Sequence, residues 1–548
     1  MTWWSDAVVY EVYVRSFADS DGDGVGDLAG LTARLPHLAE LGVDALWITP
    51  FFPSPGRDHG YDVADFTGVD PLFGDLAAVD ALVARAHALG LRVLLDMVPN
   101  HTSDQHPWFL AARAEGRDGR GHRDYYLWRD PAPDGGPPNN WISNFGGPAW
   151  TFDPASGQYW MHAYLSEQPD LNWRSTAVRE EWAAILRFWL ARGVDGFRFD
   201  VAHNLLKHAD FPDNPPAPDP PAPDPATPDP ATSGRPPRVG RAREAHGLVR
   251  IHDIDQDGVV DLFRELRAAL PRTARDEPPF LLGETVLDDP ERVARYVAPG
   301  GLDAAMWFGP EAARLDAAEL HAALAAMAHP PGTGTVAWFL SNHDRSRPAT
   351  RLGGARRALA AAGLVLAMPG PYLLYQGEEI GAEDLRVPPG AARDPLAVRA
   401  GQPEASRDRA RAPMPWSAAP DRGFAAAPWL PHGPLPAAGS VADQAADPGS
   451  PLAGWRALIA ALRAVRGALP RAATVERHGD LVVIRRGPLL VAANLGDAAV
   501  PVEVPLGPSE AAIAEMLWRS GGGPADDGSL RATETAWWRL PGRHEGGE

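Results

Sequence analysis

Eight short runs of apolar and β-branched residues recur along the chain, and each ends in polar or charged positions. The runs are Val8–Phe17, Val43–Pro50, Arg92–His101, Gly196–Ala202, Phe280–Thr285, Ala304–Phe308, Val336–Asp344 and Pro371–Glu379. Between most of them, alanine, leucine and arginine recur at helical spacing, as in Leu76–Leu89, Val178–Leu190, Val259–Leu270 and Glu291–Val297. Eight strands that alternate with helices predict a parallel (β/α)8 barrel with insertions. A doubly wound open sheet is the alternative, but no glycine-rich phosphate loop supports it.

Two segments interrupt this alternation. Residues 102–171 are polar and rich in tryptophan and glycine, with no clear helical period, and predict a subdomain inserted after the third strand. Residues 212–237 contain twelve prolines in repeats such as PAPDP. Proline removes hydrogen-bond donors and restricts φ, so this segment is predicted to be an exposed, polyproline-like loop within the barrel.

The last part of the chain changes to the two-residue period of β-strands. After Trp455–Leu462, a predicted final barrel helix, the short alternating runs are Leu481–Arg485, Leu489–Asn494 and Val500–Val504. They predict a C-terminal antiparallel β domain over residues 469–548. Residues 1–101 and 172–468 then form the catalytic barrel.

Composition and charge narrow the classes of function. A formal charge of −20 over 548 residues argues against a nucleic-acid partner, because phosphate binding needs a basic surface on the protein. The charge fits a small neutral substrate. The chain has no cysteine, so it has no disulfide or thiolate metal site, and its N-terminus lacks a secretory pattern. The longest apolar run, Ala358 to Met368, is too short to span a bilayer. We therefore expect a cytoplasmic protein with no membrane partner; the oligomeric state is left open.

Carboxylates stand at the ends of several predicted strands. Asp200, Glu284 and Asp344 each end an apolar run, and Asp96 lies in a similar position. Active sites of such barrels are built at the carboxyl ends of the strands. Retaining hydrolysis of a glycosidic bond needs two carboxyl groups about 5 Å apart. One such residue could be a helix cap, but four are poorly explained in that way.

The chain resembles the α-amylase family of glycoside hydrolases, and within it the oligo-1,6-glucosidase and α-glucosidase group. The matching motifs occur in order over nearly the whole chain: Asp96…Asn100-His101, Gln168-Pro-Asp-Leu-Asn172, Gly196-Phe-Arg198-Phe-Asp200, Glu284 and Asn342-His343-Asp344. The resemblance implies a retaining, exo-acting α-glucosidase that releases α-glucose from the non-reducing end of a short oligosaccharide or glucoside.

Two other functions within or near this family stay open. A transglucosidase, sucrose isomerase or trehalose synthase would use the same catalytic residues with a different acceptor. A non-catalytic relative, like the heavy chains of amino-acid transporters, would lack these residues and carry a membrane anchor. For linkage, Val201 resembles the α-1,6 pattern, whereas Ala202-His203-Asn204 is more similar to maltose-type enzymes. We expect α-1,4 bonds to be favoured and α-1,6 bonds to be accepted.

The resemblance also implies the roles of individual residues. Asp200 would be the nucleophile and Glu284 the general acid and base, while Asp344 would bind the 2- and 3-hydroxyls of glucose. Arg198, two residues before Asp200 and therefore on the same strand face, would keep the nucleophile ionised. The further substrate-binding candidates are His101 and His343 for glucose hydroxyls, Tyr61 as a stacking platform, Asp62 for the 4-hydroxyl, Phe145 as a pocket wall, and Arg407 as the partner of Asp62.

A short acidic segment near the N-terminus predicts a metal site. Oxygen ligands alternate through Asp19-Ser-Asp21-Gly-Asp23-Gly-Val25-Gly-Asp27, which is the arrangement that a hard cation requires. No EF-hand is expected, since Gly30 occupies the position of its final glutamate. The segment is similar to the calcium- or magnesium-binding loop of the oligo-1,6-glucosidase group, in which the carbonyl of the Val25 position is a ligand. The ion would be structural, and no organic cofactor is expected.

Overall fold

The eight apolar runs form eight parallel strands that close into a barrel, so the predicted fold class is confirmed. The computed structural model describes residues 2–218, 244–245, 247–329, 334–388, 390–400, 406–506, 514–521 and 529–541. The barrel strands, neighbours in chain order, are Val8–Val12, Ala45–Ile48, Arg92–Met97, Gly196–Phe199, Phe280–Gly283, Ala304–Met306, Thr335–Phe339 and Tyr372–Tyr375. The eighth strand pairs with the first, which removes both open edges.

Two apolar layers hold the barrel together. One fills its interior with residues from alternate strand positions, among them Val9, Trp47 and Leu94. The other lies between the strands and the surrounding helices. Alternate residues of a strand point to opposite faces, so each fully buried strand needs apolar residues on both sides. This explains why the barrel strands read as nearly continuous apolar runs.

Most of the described helices surround the barrel, and the four predicted from helical spacing are all present. The α-helices are Leu28–Leu41, Leu76–Ala88, Pro107–Glu115, Thr176–Ala191, Val259–Ala268, Pro290–Tyr296, Gly309–Ala312, Ala317–Ala325, Pro348–Arg351, Ala355–Val365, Pro395–Ala400, Val441–Ala445, Pro451–Val465 and Glu503–Leu506. No helix of the described residues is long and apolar enough to cross a membrane.

The segment between the third and fourth barrel strands is more regular than its sequence indicated. It contains a three-stranded antiparallel sheet of Trp128–Arg129, Gln158–Met161 and Trp150–Asp153. It also contains the helix Pro107–Glu115, which the sequence reading missed. Pro107 at the first helical position and the ring of His106, which accepts a hydrogen bond from the amide of Trp108, start this helix.

The C-terminal region is an antiparallel sheet of five strands in the order Thr474–His478, Leu481–Arg486, Leu489–Asn494, Glu534–Arg539 and Glu515–Arg519. The predicted strand Val500–Val504 is wrong beyond Pro501, where a short helix, Glu503–Leu506, begins. Proline lacks the N–H that a strand needs for its ladder, so pairing stops there. Of the proline-rich segment 212–237, only residues 212–218 lie within the described residues.

Candidate active site

One arginine connects the three carboxylates at the ends of the third, fourth and fifth barrel strands. Arg198 Nη1 donates to Asp200 Oδ1 at 2.7 Å and to Asp96 Oδ1 at 2.8 Å, and Nη2 lies 2.7 Å from Glu284 Oε2. The barrel register places Asp96 directly opposite Arg198 on the neighbouring strand. Asp200 follows two residues later on the same face. The two predicted catalytic carboxylates are therefore brought together around one guanidinium.

Burial controls the protonation of this cluster. Asp200 is 8% exposed and Glu284 6% exposed. Burial raises the pKa of Asp200 well above its usual range, Arg198 opposes the rise, and Glu284 and Asp96 add to it. Burial also raises the pKa of Asp96 to about 6. One guanidinium faces three carboxylates, and their mutual repulsion disfavours the ionisation of all three at once.

A chain of polar contacts joins this cluster to Asp344. The Tyr61 hydroxyl donates to Asp96 Oδ2 at 3.0 Å and lies 2.8 Å from His343 Nε2. His343 Nε2 is in turn 3.4 Å from Asp344 Oδ1. The rings of Tyr61 and His343 stack with centroids 5.4 Å apart. Tyr61 and His343 thus connect the carboxylate cluster around Arg198 to Asp344 and fix their relative positions.

Asp344 is the most accessible carboxylate of the site, with its side chain 32% exposed. Arg411 donates to its Oδ1, and Arg407 Nη1 lies 3.7 Å from the same atom. Although burial opposes the effect, His343, Arg407 and Arg411 hold the pKa of Asp344 below its usual range. Asp344 is thus an ionised acceptor that is open to a ligand hydroxyl. Nothing in the sequence motifs indicated Arg411, which lies 67 residues along the chain from Asp344.

The predicted partner of Arg407 is wrong. Arg407 Nη2 donates to Asp58 Oδ1 at 2.6 Å and to Asp394 Oδ1 at 2.8 Å, and Arg407 forms no hydrogen bond or ion pair with Asp62. The Asp62 carboxylate accepts instead from the Ser54 hydroxyl and from the backbone N–H groups of Arg57 and Asp58. Asp62 is fully buried and stabilises its own loop. Both aspartates lie in the same segment, four residues apart, and the sequence alone does not show which of them pairs with Arg407.

Phe145 and His101 lie on the side of the site that faces the subdomain inserted after the third barrel strand. The Arg407 guanidinium lies over the Phe145 ring at 5.2 Å, and the predicted role of Phe145 as a pocket wall stays a prediction. His101 is buried with both ring nitrogens in contact with protein atoms: Nδ1 with the Asn100 amide at 3.1 Å, and Nε2 with the Tyr61 carbonyl and the Gln168 amide, each at 3.1 Å. The predicted glucose-binding role of His101 stays a prediction.

The acidic segment near the N-terminus forms a tight loop. Asp19, Asp21 and Asp27 each offer an oxygen, and these atoms lie within 4.8 Å of one another. Asp23 is outside this group, and its Oδ1 accepts a hydrogen bond from the Val25 amide at 2.8 Å. An all-oxygen set of carboxylates suits a hard cation such as Ca2+ or Mg2+. Asp27 also caps the helix Leu28–Leu41 through the Gly30 amide, so the loop is joined to the barrel.

Known proteins share this architecture over almost the full chain. A family model described as the α-amylase catalytic domain matches residues 11–469. A probable α-glucosidase of Rhizobium meliloti (strain 1021) is 37% identical over 522 residues, which cover 92% of this chain and 91% of the relative. An oligo-1,6-glucosidase of Heyndrickxia coagulans is 34% identical, covering 78% and 79%. The crystal structure of the α-glucosyl transfer enzyme XgtA superposes with a TM-score of 0.86 at 35% identity, covering 99% of this chain and 100% of that chain.

Proposed function

The chain belongs to the α-amylase family, and we propose that it is a retaining, exo-acting α-glucosidase of short α-glucosides, with α-1,4 bonds favoured and α-1,6 bonds accepted. The observation that carries the mechanism is the pair of contacts from Arg198 to Asp200 and Glu284. Two carboxyl groups that share one guanidinium are close together, as double displacement requires. The absence of cysteine supports a cytoplasmic location.

In this mechanism, Asp200 attacks the anomeric carbon while Glu284 protonates the leaving oxygen. The bond to the leaving sugar breaks as the bond to Asp200 forms, which gives a glucosyl ester. Glu284, now ionised, removes a proton from water, and the water oxygen displaces Asp200. Arg198 stabilises the carboxylate of Asp200 when it is released. Asp344 is placed to accept hydrogen bonds from glucose hydroxyls throughout.

Exo action follows from the contacts of Arg407. This side chain joins Asp58 to Asp394 and lies over Phe145, so loops from distant parts of the chain meet at one point. We assign to Asp58, rather than Asp62, the role of closing the pocket with Arg407. A charged pair that is fixed in this way would close the pocket beyond one terminal glucose and exclude the next unit of a polymer.

The product and its configuration test this function. With maltose, proton NMR should show α-glucose before mutarotation, because two inversions at the anomeric carbon restore its configuration. Maltose and maltotriose should be good substrates and soluble starch a poor one. Initial β-glucose would contradict double displacement. Rapid formation of internal starch fragments would contradict the closed pocket and leave the catalytic pair unaffected.

Transfer of glucose to another sugar is the second candidate, favoured by the likeness to an α-glucosyl transfer enzyme. Both reactions share the glucosyl ester and differ in whether water or a sugar hydroxyl accepts the glucose. Comparing glucose release with oligosaccharide formation at rising maltose concentration separates them. A hydrolase yields mainly glucose at all concentrations, whereas a transferase yields mainly longer products.

We propose further that Asp19, Asp21 and Asp27 hold a structural Ca2+ or Mg2+, with the Val25 carbonyl and Asp23 as the remaining predicted ligands. A chelator should then lower Tm by about 5 °C while the initial rate at room temperature changes little, because the ion stabilises only the folded state. The variant Asp21→Ala removes an exposed ligand and should abolish the response to chelator. The site would be refuted if Tm changed neither on addition of chelator nor, in a separate measurement, on addition of calcium.

A further inference from the structure

The chain contains a single lysine, Lys207, among its 51 basic residues. It lies seven residues after Asp200, and it is 3% exposed. A protein that uses arginine at every other cationic position has kept an ammonium group at one buried place. Burying a charge is costly unless it is surrounded by matched partners. The position therefore demands what lysine has and arginine lacks.

Three oxygens from three separate segments surround the ammonium group. Nζ donates to Asn100 Oδ1 at 3.1 Å and to the carbonyl of Asn204, and lies 2.9 Å from Asp170 Oδ2. Asn100 follows the third barrel strand, and Asp170 lies at the end of the inserted subdomain. Asn204 ends the short 3-10 turn Ala202–Asn204 that follows the nucleophile. Lys207 thus connects three loops of the active-site rim.

The geometry explains the choice of lysine. An ammonium group is compact and has three donors on a flexible stem, which suits three converging oxygens. A guanidinium is planar and larger, and its donors form a fixed fork that fits one carboxylate edge. Arginine at this position would separate the three segments that lysine holds together.

The outer side of the Lys207 loop borders a cavity. A cavity of about 370 Å³ borders Leu205, Leu206 and Phe211 on one side and parts of the inserted subdomain on the other. None of the three proposed catalytic carboxylates lines this cavity. Leu205 and Leu206 pack into the main apolar core on the other side, so the contacts of Lys207 act together with this packing to fix the loop.

The turn that follows the nucleophile contacts the general acid, Glu284, directly. The Val201 amide donates to Glu284 Oε2 at 3.1 Å, and the Ala202 amide donates to the Glu284 carbonyl at 2.9 Å. Val201 has φ of +38°, a conformation that a β-branched residue adopts only when its surroundings impose it. Lys207 binds the carbonyl at the other end of this turn. Loss of that contact lets the turn relax and changes the placement of Glu284.

We propose that Lys207 is a positioning residue that holds the turn after the nucleophile so that Glu284 is aligned with the leaving oxygen. This inference rests on the proposed glucosidase function. It assigns to the one lysine a role in the acid step and not in glucose binding. A residue needed only for folding would instead lower the fraction of active protein and affect all substrates equally.

The test compares two substrates with aglycones of similar shape, phenyl α-glucoside and 2,4-dinitrophenyl α-glucoside. Dinitrophenolate leaves without protonation, whereas phenolate needs the acid. In Lys207→Met, kcat/KM, which reports the first displacement alone, should fall by about a hundredfold for the phenyl substrate and by less than about tenfold for the dinitrophenyl substrate. Lys207→Arg should show the same inequality, since its charge is retained but its shape is wrong.

A matched control is Arg117→Met, which removes a cation from the same cavity without touching the loop, because Arg117 pairs with Asp130. It should leave both rates unchanged. Equal losses on the two substrates in both Lys207 variants, or no loss, would overturn the proposal. If Lys207→Met does not fold, Lys207→Arg alone tests the proposal, through the ratio of its losses on the phenyl and dinitrophenyl substrates. A wild-type protein that hydrolyses neither glucoside would instead refute the proposed function.

Discussion

Asp200→Asn should lower kcat for maltose by more than about a thousandfold while the protein stays folded. An amide cannot form the glucosyl ester, so the first displacement has no nucleophile. The fold should persist because Arg198 keeps its bonds to Asp96 and its contact with Glu284. Asparagine has nearly the same shape as aspartate and can still accept a hydrogen bond from Arg198 through its carbonyl oxygen.

The measurement is steady-state hydrolysis with Tm recorded on the same preparation. Asp257→Asn provides the control for loss of an acidic charge, because Asp257 is an exposed residue that pairs with Arg295 at 2.8 Å. That variant should keep wild-type activity. Residual activity of Asp200→Asn above about a thousandth of wild type, with contaminating enzyme excluded, would remove Asp200 from the role of nucleophile.

Glu284→Gln should have the second-largest effect, with a loss of about 10² to 10⁴ in kcat for maltose, the range that general acid catalysis supplies. Glutamine retains an oxygen that can accept from the Val201 amide, so the neighbouring turn should be preserved. The loss should be much smaller for the first displacement on 2,4-dinitrophenyl α-glucoside. The second displacement then lacks its base, so glucosyl-enzyme accumulates and dinitrophenol appears in a burst.

Rapid-mixing measurements of that burst, with mass spectrometry of the trapped protein, test the assignment. A mass increase of one glucosyl group located on Asp200 would support both catalytic roles together. Equal losses for maltose and the dinitrophenyl substrate, without a burst, would show that Glu284 is not the acid. The Lys207 variants should resemble a weaker form of Glu284→Gln, because they affect the same step indirectly.

Much of the barrel could be predicted because its signal is local. Gly196–Phe199 and Phe280–Gly283 are short and mostly apolar, and the acidic residues Asp200 and Glu284 follow them directly. Strand ends of a parallel barrel lie on one rim, so topology alone brings such residues together. The contact between Arg198 and Asp200 also follows from their spacing on one strand.

Other features escaped sequence reasoning because competing local signals decided them. The helix Pro107–Glu115 lies in a segment whose tryptophans and glycines concealed its period, and it begins from a proline and a histidine cap. The strand predicted at Val500–Val504 follows an alternating pattern, but Pro501 cannot donate to a ladder. In both places residues at an element boundary outweighed the average pattern.

The sequence by itself determined the barrel, the identity of the carboxylates at its rim and the arginine beside the nucleophile, because these depend on periodicity and on neighbours within a few residues. Only the tertiary structure decided that Arg407 pairs with Asp58 instead of Asp62, since the two partners are 349 residues apart. It likewise decided that Lys207 joins Asn100, Asp170 and Asn204. Contacts between loops depend on how distant segments meet once the barrel has closed, and no local pattern encodes which of two nearby carboxylates is left free to make them.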